Sequence, residues 1–212
     1  MNAWLAAVSR RTLLALVGGL LGLTALGAAG WFWYVNEQHR AMEAYAQALA
    51  ALRTAQSPQA APEAKSAAVR ALEAVLARFP SAAAAPQAAY ELAGLRYDVT
   101  DYAAARGAYE VVLARGGRGT LATLARAGIG HTWEAVRDYA KAIEVYTAAL
   151  ARLGAKDFYY EALLVDLGRA QELAGKKADA TATYQRVLKE LPQARRAEDV
   201  RARLLSLGGS FR

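Results

Sequence analysis

Residues 129–146 read IGHTWEAVRDYAKAIEVY, and this stretch decides the fold because similar versions of it lie on either side. Residues 92–109 read LAGLRYDVTDYAAARGAY, and residues 167–184 read LGRAQELAGKKADATATY. The copies therefore begin at residues 92, 129 and 167, which are 37 and 38 residues apart. Self-similarity at a fixed period of this size is typical of proteins built by stacking one structural unit.

Each copy predicts two helices joined by a tight turn. A large apolar residue followed by a small one, as at Gly130 and Gly168, lets the second helix approach the backbone of the first. Ala142, just after the turn, has the same role from the other side, and we expect Tyr146 to fill the gap to the next unit. One such pair cannot bury its own apolar stripe, so the units must stack into an α-solenoid.

The predicted solenoid extends beyond the three clear copies in both directions. Glu63 to Phe79 predicts a second-type helix and Glu37 to Arg53 its partner, which together form a degenerate N-terminal repeat. The proline-containing segment 55–62 predicts the loop between them. Gln193 to Leu207 predicts an amphipathic helix that caps the final apolar face. We therefore predict an all-α helical-repeat domain over residues 36–212.

The copies resemble the tetratricopeptide repeat, whose usual period is about 34 residues. The resemblance covers residues 82–191, and only the third copy is closed by a proline, Pro192. It implies a surface that binds other proteins, although this fold serves many different partners.

An apolar segment precedes the repeats. Residues 12–35 contain no charged side chain, and at about 1.5 Å per residue they are long enough to cross a hydrocarbon core of about 30 Å. Aromatic residues at 31–34 are typical of a membrane interface, and no helix breaker follows before Glu37. We predict a single transmembrane helix that continues into the first helix of the solenoid.

The alternative to an anchor is a cleaved signal peptide. The small-x-small triplets at 25–27 and 28–30 offer cleavage sites, but the apolar run continues past both into the aromatic cluster. Arg10 and Arg11 favour a cytoplasmic N-terminal tail, residues 1–11, which places the repeat domain across the membrane. In a bacterium this corresponds to the inner membrane, with a periplasmic repeat domain.

A stripe of small residues runs along the predicted transmembrane helix. Gly18 and Gly22 form a G-x-x-x-G pair, and Ala25 and Ala29 roughly extend the same face. Faces of this kind let a second membrane helix approach closely, but glycine is also common in membrane helices that lack such a partner. A packing role in the membrane is therefore one hypothesis for this stripe.

This order of parts resembles the ancillary translocon subunit family, the YfgM-like inner-membrane proteins. The segment FPS at 79–81, followed by APQAAYELA at 85–93, is also similar to envelope repeat proteins of the BamD and CpoB kind. These resemblances imply partners among membrane-complex subunits, translocon components or chaperones, with the lipid bilayer contacted through residues 12–35.

The composition argues against several classes of function. There is no cysteine, which excludes disulfides, thiolate metal sites and cysteine nucleophiles, and the two histidines are far apart in sequence. The net charge of +7 is spread along the chain, so we expect no nucleic-acid binding. No motif for phosphate, dinucleotide or nucleophilic chemistry occurs. We therefore expect no enzymatic activity, no cofactor and no metal; His131 and Glu134, one helical turn apart, are better explained as a polar pair beside Trp133.

The first helix of each pair lines the inner face of such a solenoid, so we expect partner contacts there. The tetratricopeptide resemblance implies the following groove residues: Gln87, Tyr90, Tyr97, Asp98, His131, Glu134, Val165, Arg169 and Glu172. Tyrosines mixed with both signs of charge suit an extended peptide or a partner's helix. The leading hypothesis is a membrane-anchored interaction scaffold. The alternative is an accessory structural subunit of a large bioenergetic or transport complex, and an enzyme comes third.

Overall fold

The first helix of the protein, α1, runs from Arg10 to Ala55 without a break. In the computed structural model, which describes residues 10–57, 59–116 and 119–208, its 46 residues extend over about 69 Å. The predicted continuity past Val35 is confirmed. The N-terminal part of α1 is exposed, whereas Ala41, Ala48 and Leu52 are buried against later helices. Of the predicted tail 1–11, residues 1–9 lie outside the described residues.

Within the described ranges, α1 is the one helix whose length and apolar composition suffice to cross a membrane. The qualifying stretch begins at Leu13, and its most apolar window has a mean hydropathy of 2.0 with none of its residues buried. Residues 13–34 are thus exposed, with no cover from the other described residues, and burial begins only further along α1.

In the described ranges eight further helices follow α1, and each is antiparallel to its neighbour because the connecting turns are short. They are α2 Pro62–Arg78, α3 Ala85–Asp98, α4 Tyr102–Gly116, α5 Thr120–Ala135, α6 Tyr139–Leu150, α7 Tyr160–Leu173, α8 Lys177–Glu190 and α9 Ala197–Ser206. The second half of α1 packs on α2, and α3 with α4, α5 with α6, and α7 with α8 form the three clear units. The all-α repeat fold is confirmed in the described residues, with one degenerate unit and a terminal cap.

The capping helix is shorter than the sequence predicts. It begins at Ala197 rather than Gln193, because residues after Pro192 form a turn in which the backbone N–H of Ala194 donates to Leu191. Val200 and Leu204 of α9 are fully buried, so the helix still covers the apolar end of the last unit.

Small residues let the two helices of a unit approach each other. A Cβ atom added to Gly130 would lie 2.1 Å from Tyr146, and one added to Gly168 would lie 2.4 Å from Tyr184. Tyr146 and Tyr184 therefore pack against the first helix of their own unit, and Tyr146 also belongs to the buried cluster that includes Leu163 and Leu164 of the next unit. Tyr109 lies against Gly128 of the following unit.

Candidate partner-binding face

A polar network joins α5 to α7 across the boundary between two units. Nε2 of His131 lies 3.0 Å from Oδ2 of Asp166, whose Oδ1 pairs with Arg169 at 2.8 Å. Two guanidinium nitrogens of Arg169 donate to the carboxylate of Glu134, each at 2.9 Å. The hydroxyl of Tyr146 donates to the same carboxylate at 2.7 Å. The network thus connects α5, α6 and α7.

The groups in this network satisfy one another. Burial alone would raise the pKa of Asp166, but hydrogen bonds and charge from His131 and Arg169 outweigh it and lower that pKa below its ordinary value. The hydrogen bond to Glu134 raises the pKa of Arg169, and burial together with Glu134 raises that of Tyr146. Because these side chains are already paired with one another, a ligand would have to displace an existing partner. We therefore assign them to the stability of the stack.

Two other predicted contact residues are also used inside the fold. Glu172 accepts a hydrogen bond from Tyr184 at 3.0 Å and pairs with Arg203 of α9 at 3.1 Å. The prediction for Val165 is wrong, because its side chain is 2% exposed in the core between α7 and its neighbours. The next residue, Asp166, is the one whose side chain joins the polar network. The predicted groove position at Val165 was therefore one residue away.

The remaining predicted residues share one surface on α3. Tyr90 packs edge-on against Tyr109 with ring centroids 5.7 Å apart, and Tyr97 packs similarly against Tyr102 at 5.2 Å. Asp98 is exposed, and so is Gln87, one turn before Tyr90.

Tyr45 of α1 and Glu91 of α3 complete this surface, which we call the tyrosine face: Tyr45, Gln87, Tyr90, Glu91, Tyr97 and Asp98. Burial raises the pKa of Glu91, and that carboxylate in turn contributes to the raised pKa values of Tyr45 and Tyr90. Neither Glu91 nor Asp98 forms an ion pair or a hydrogen bond through its side chain to any described residue. The tyrosine face therefore presents aromatic rings and two carboxylates that have no partner of their own.

Sequence reasoning missed three residues that matter here, namely Asp166, Tyr45 and Glu91. A lone carboxylate inside the apolar run LLVDLG, residues 163–168, was a usable signal for a buried pair. No comparable signal existed for Tyr45 and Glu91, since the two residues come near each other only in the folded stack of α1, α2 and α3.

The structure also locates the residues that the sequence raised for metal binding and for packing in the membrane. Among the described residues no cluster of three or more His, Asp or Glu side chains could hold a metal ion. Glu134 accepts hydrogen bonds from Arg169 and Tyr146, whereas His131 pairs with Asp166. Gly18 and Gly22 lie on the exposed part of α1, with nothing within 4 Å of a Cβ built at either; Ala25 and Ala29 are exposed as well.

Comparison with known proteins adds information about the fold. No family model matches the sequence, and no curated protein matches it. Solved structures do. A crystal structure of MamA protein is 18% identical, with 63% of this chain and 67% of that chain covered and a TM-score of 0.52. PilF of Pseudomonas aeruginosa is 19% identical over 80% of this chain and 68% of its own, with a TM-score of 0.57.

A third structure, a double mutant of MamA from RS-1, is 15% identical, covers 79% of this chain and 94% of its own, and has a TM-score of 0.55. MamA and PilF are tetratricopeptide-repeat proteins, so the repeat type predicted from the sequence is confirmed at the level of the fold. At identities below a fifth, this likeness shows the fold alone.

Proposed function

We propose that this protein is a membrane-anchored scaffold that holds another protein beside the bilayer, with α1 as an uncleaved anchor. The observation that carries the proposal is the tyrosine face, where Tyr90 and Tyr97 stand beside the unpaired carboxylates of Glu91 and Asp98. Rigid aromatic rings supply binding area at low entropic cost, and an unpaired carboxylate favours a partner that brings a positive charge. The occupant we propose is a segment that combines apolar and basic side chains.

The continuity of α1 supports the anchored form of this proposal. The apolar part and the part that packs in the first unit belong to one helix, so the repeat domain would hold a fixed pose on the membrane rather than hang from a flexible linker. Arg10 and Arg11 favour an N-terminus inside the cell and a repeat domain on the outer side of a bacterial inner membrane. Within this proposal the partners belong to secretion, envelope assembly or chaperone recruitment, as the resemblance to YfgM-like proteins implies, and the scaffold carries out no enzymatic step.

Site-specific crosslinking in the native membrane tests the proposal. A photoreactive residue at position 97 should capture a defined protein, and Asp98→Arg should weaken that capture and the matching co-purification. Glu110→Arg makes the same charge change on the exposed surface of α4 and serves as the control. A partner retained equally by Asp98→Arg and wild type, or a chain that stays a monomer with no crosslink at 97, would overturn the proposed role of the tyrosine face.

The exposed glycine pair favours a second candidate, an accessory subunit fixed within a large membrane complex. Gly18 and Gly22 lie one turn apart in open space, so a neighbouring helix can approach the backbone there. Replacing both by leucine should release the protein from such a complex while Asp98→Arg leaves it attached. Unchanged co-purification of the leucine variant would rule this candidate out.

A further inference from the structure

Two arginines stand together without a carboxylate partner. Arg126 of α5 and Arg152, just after α6, lie close enough that burial and the charge of Arg152 lower the pKa of Arg126. Arg169, Arg186 and Arg203, by contrast, each pair with a carboxylate. Neither Arg126 nor Arg152 forms an ion pair with any residue that the structure describes. Two adjacent guanidinium groups repel each other, and an anion bound between them would relieve that repulsion.

The two arginines line a cavity of about 410 Å³ between the start of α5 and the α6–α7 connection. Thr123, Phe158 and Tyr159 also line it. Asp157 contributes one carboxylate to the lining. It accepts a hydrogen bond from the backbone N–H of Gly154 at 2.6 Å, which stabilises the turn that contains both residues. The cavity therefore combines two arginines and one carboxylate with hydroxyl and aromatic groups, and its net charge is positive.

The edge of the solenoid on which the cavity lies is fixed by contacts to α1. Oε1 of Gln38 accepts a hydrogen bond from the backbone N–H of Ala83 at 2.9 Å, and Phe79 packs on Ala41. Gln38 and Ala41 are about 5 and 9 Å along the helix from Val35. The α2–α3 turn is thus held beside the part of α1 that directly follows the apolar segment.

The α4–α5 and α6–α7 connections lie at the same edge, because successive helices run in opposite directions. Nη1 of Arg115, at the end of α4, donates to the backbone oxygen of Pro80 in the α2–α3 turn at 2.6 Å. The α6–α7 connection then carries Lys156, which is exposed, and Phe158, which is 81% exposed. An exposed aromatic ring beside cations is typical of a surface that rests on lipid headgroups.

We propose that the cavity between α5 and the α6–α7 connection binds the phosphate of an anionic phospholipid headgroup, with Phe158 entering the interfacial layer. Arg126 and Arg152 hold the phosphate, since the guanidinium fork matches its geometry, and Lys156 adds attraction to the negative surface. The inference rests on the proposed anchoring by α1, which brings this edge towards the bilayer. It adds a second contact that fixes the tilt of the solenoid and leaves the tyrosine face open.

A spin-label experiment on the full-length chain tests this contact. The chain has no cysteine, so a nitroxide can be attached at one introduced position, Phe158→Cys, or at Val136→Cys on the opposite edge. The protein is placed in nanodiscs of phosphatidylcholine, with or without phosphatidylglycerol. Collisions with oxygen report lipid contact and those with a nickel chelate report water. We expect the label at 158 to move towards oxygen only when phosphatidylglycerol is present, and the label at 136 to stay in water.

Charge variants and a positional control make the test decisive. In the Phe158→Cys background, Arg152→Gln should reduce the lipid-contacting population about fivefold, whereas Lys176→Gln, the same charge change on the opposite edge, should not. Arg126→Gln should repeat the effect of Arg152→Gln. A label at 158 that stays in water in both lipids overturns the inference, as does an equal response in phosphatidylcholine nanodiscs to added inorganic phosphate. A label at Trp31→Cys separates the two proposals: if it too stays in water, the anchoring has failed; if it is in lipid, only the headgroup contact has failed.

Discussion

Replacing Gly130 by alanine should destabilise the solenoid, although alanine is the better helix former. The added Cβ would lie 2.1 Å from Cε1 and 2.5 Å from Cζ of Tyr146. Carbon atoms normally approach no closer than about 3.5 Å, so the ring has to move by more than an ångström. Tyr146 is fully buried and its hydroxyl donates to Glu134 at 2.7 Å, so the ring cannot swing into solvent.

The expected magnitude follows from three opposing contributions. Replacing glycine by alanine inside a helix stabilises it by about 1 kcal/mol. Overpacking a buried site costs about 1–3 kcal/mol, and weakening a hydrogen bond to a charged group costs about 1.5–3 kcal/mol. The net expectation is a destabilisation of about 1.5–5 kcal/mol. Gly107→Ala is the matched control, since this exposed glycine inside α4 has nothing within 4 Å of a built Cβ and should be stabilised by about 0.5–1 kcal/mol.

Urea unfolding in a mild detergent, followed by far-ultraviolet circular dichroism, measures both effects as shifts of the midpoint in opposite directions. A Tyr146→Leu background removes the ring atoms that the new methyl group meets, so Gly130→Ala should there no longer destabilise and should stabilise by up to about 1 kcal/mol. Equal stabilisation by Gly130→Ala and Gly107→Ala would refute the reasoning. So would an unchanged penalty in the Tyr146→Leu background, because the coupling between the two positions would then be absent.

Three further predictions concern the polar network and the junction with α1. Glu134→Gln should cost about 2–3 kcal/mol in urea unfolding, because Arg169 loses one of its two charged partners and keeps only Asp166. A loss below about 0.5 kcal/mol would contradict this. The lowered pKa of Asp166 contributes stability that is present above about pH 4 and is lost as the pH falls through the folded-state pKa. In Asp166→Asn the urea unfolding midpoint should be lower at neutral pH and should fall less steeply below about pH 4. The same steepness as in the wild type below that pH would contradict this. Phe79→Ala should remove about 3 kcal/mol of packing against Ala41; hydrogen exchange should quicken at the backbone amides of residues 82–85, and unaltered exchange there would show that the α2–α3 turn is not held by this contact.

The repeat architecture was predictable because it is local. The spacing of small and apolar residues around Gly130 and Gly168 places two helices in each unit, and neither position needs information from distant parts of the chain. The continuity of α1 was predictable for the same reason, since no breaker lies between Val35 and Glu37. The start of the capping helix was less well predicted, because the turn after Pro192 depends on how the chain leaves α8.

The candidate site was only partly predictable. The helix face on which a residue lies follows from the neighbouring sequence, whereas the group with which its side chain pairs depends on distant parts of the chain. The structure has Tyr90, Tyr97 and Asp98 at exposed or half-buried positions of one helix, and their role in partner binding stays a prediction. It could not tell that Arg169 would be shared between Glu134 and Asp166, since such pairings depend on the rotation of each unit relative to the last. A small error in that rotation exchanges the roles of Val165 and Asp166, one of which is buried among apolar side chains and the other within an ion pair.

The sequence by itself determined the helical repeat, the apolar first segment and the unbroken helix that joins them, because all three follow from residue patterns within a few turns. The tertiary structure alone decided which polar groups remain free. Stacking α5 against α7 uses His131, Glu134 and Arg169 within the fold, and the stack of α1, α2 and α3 leaves Glu91 without an ion pair among the described residues. The physical reason is that a charged side chain becomes a structural contact or an available one according to the neighbours that long-range packing brings to it.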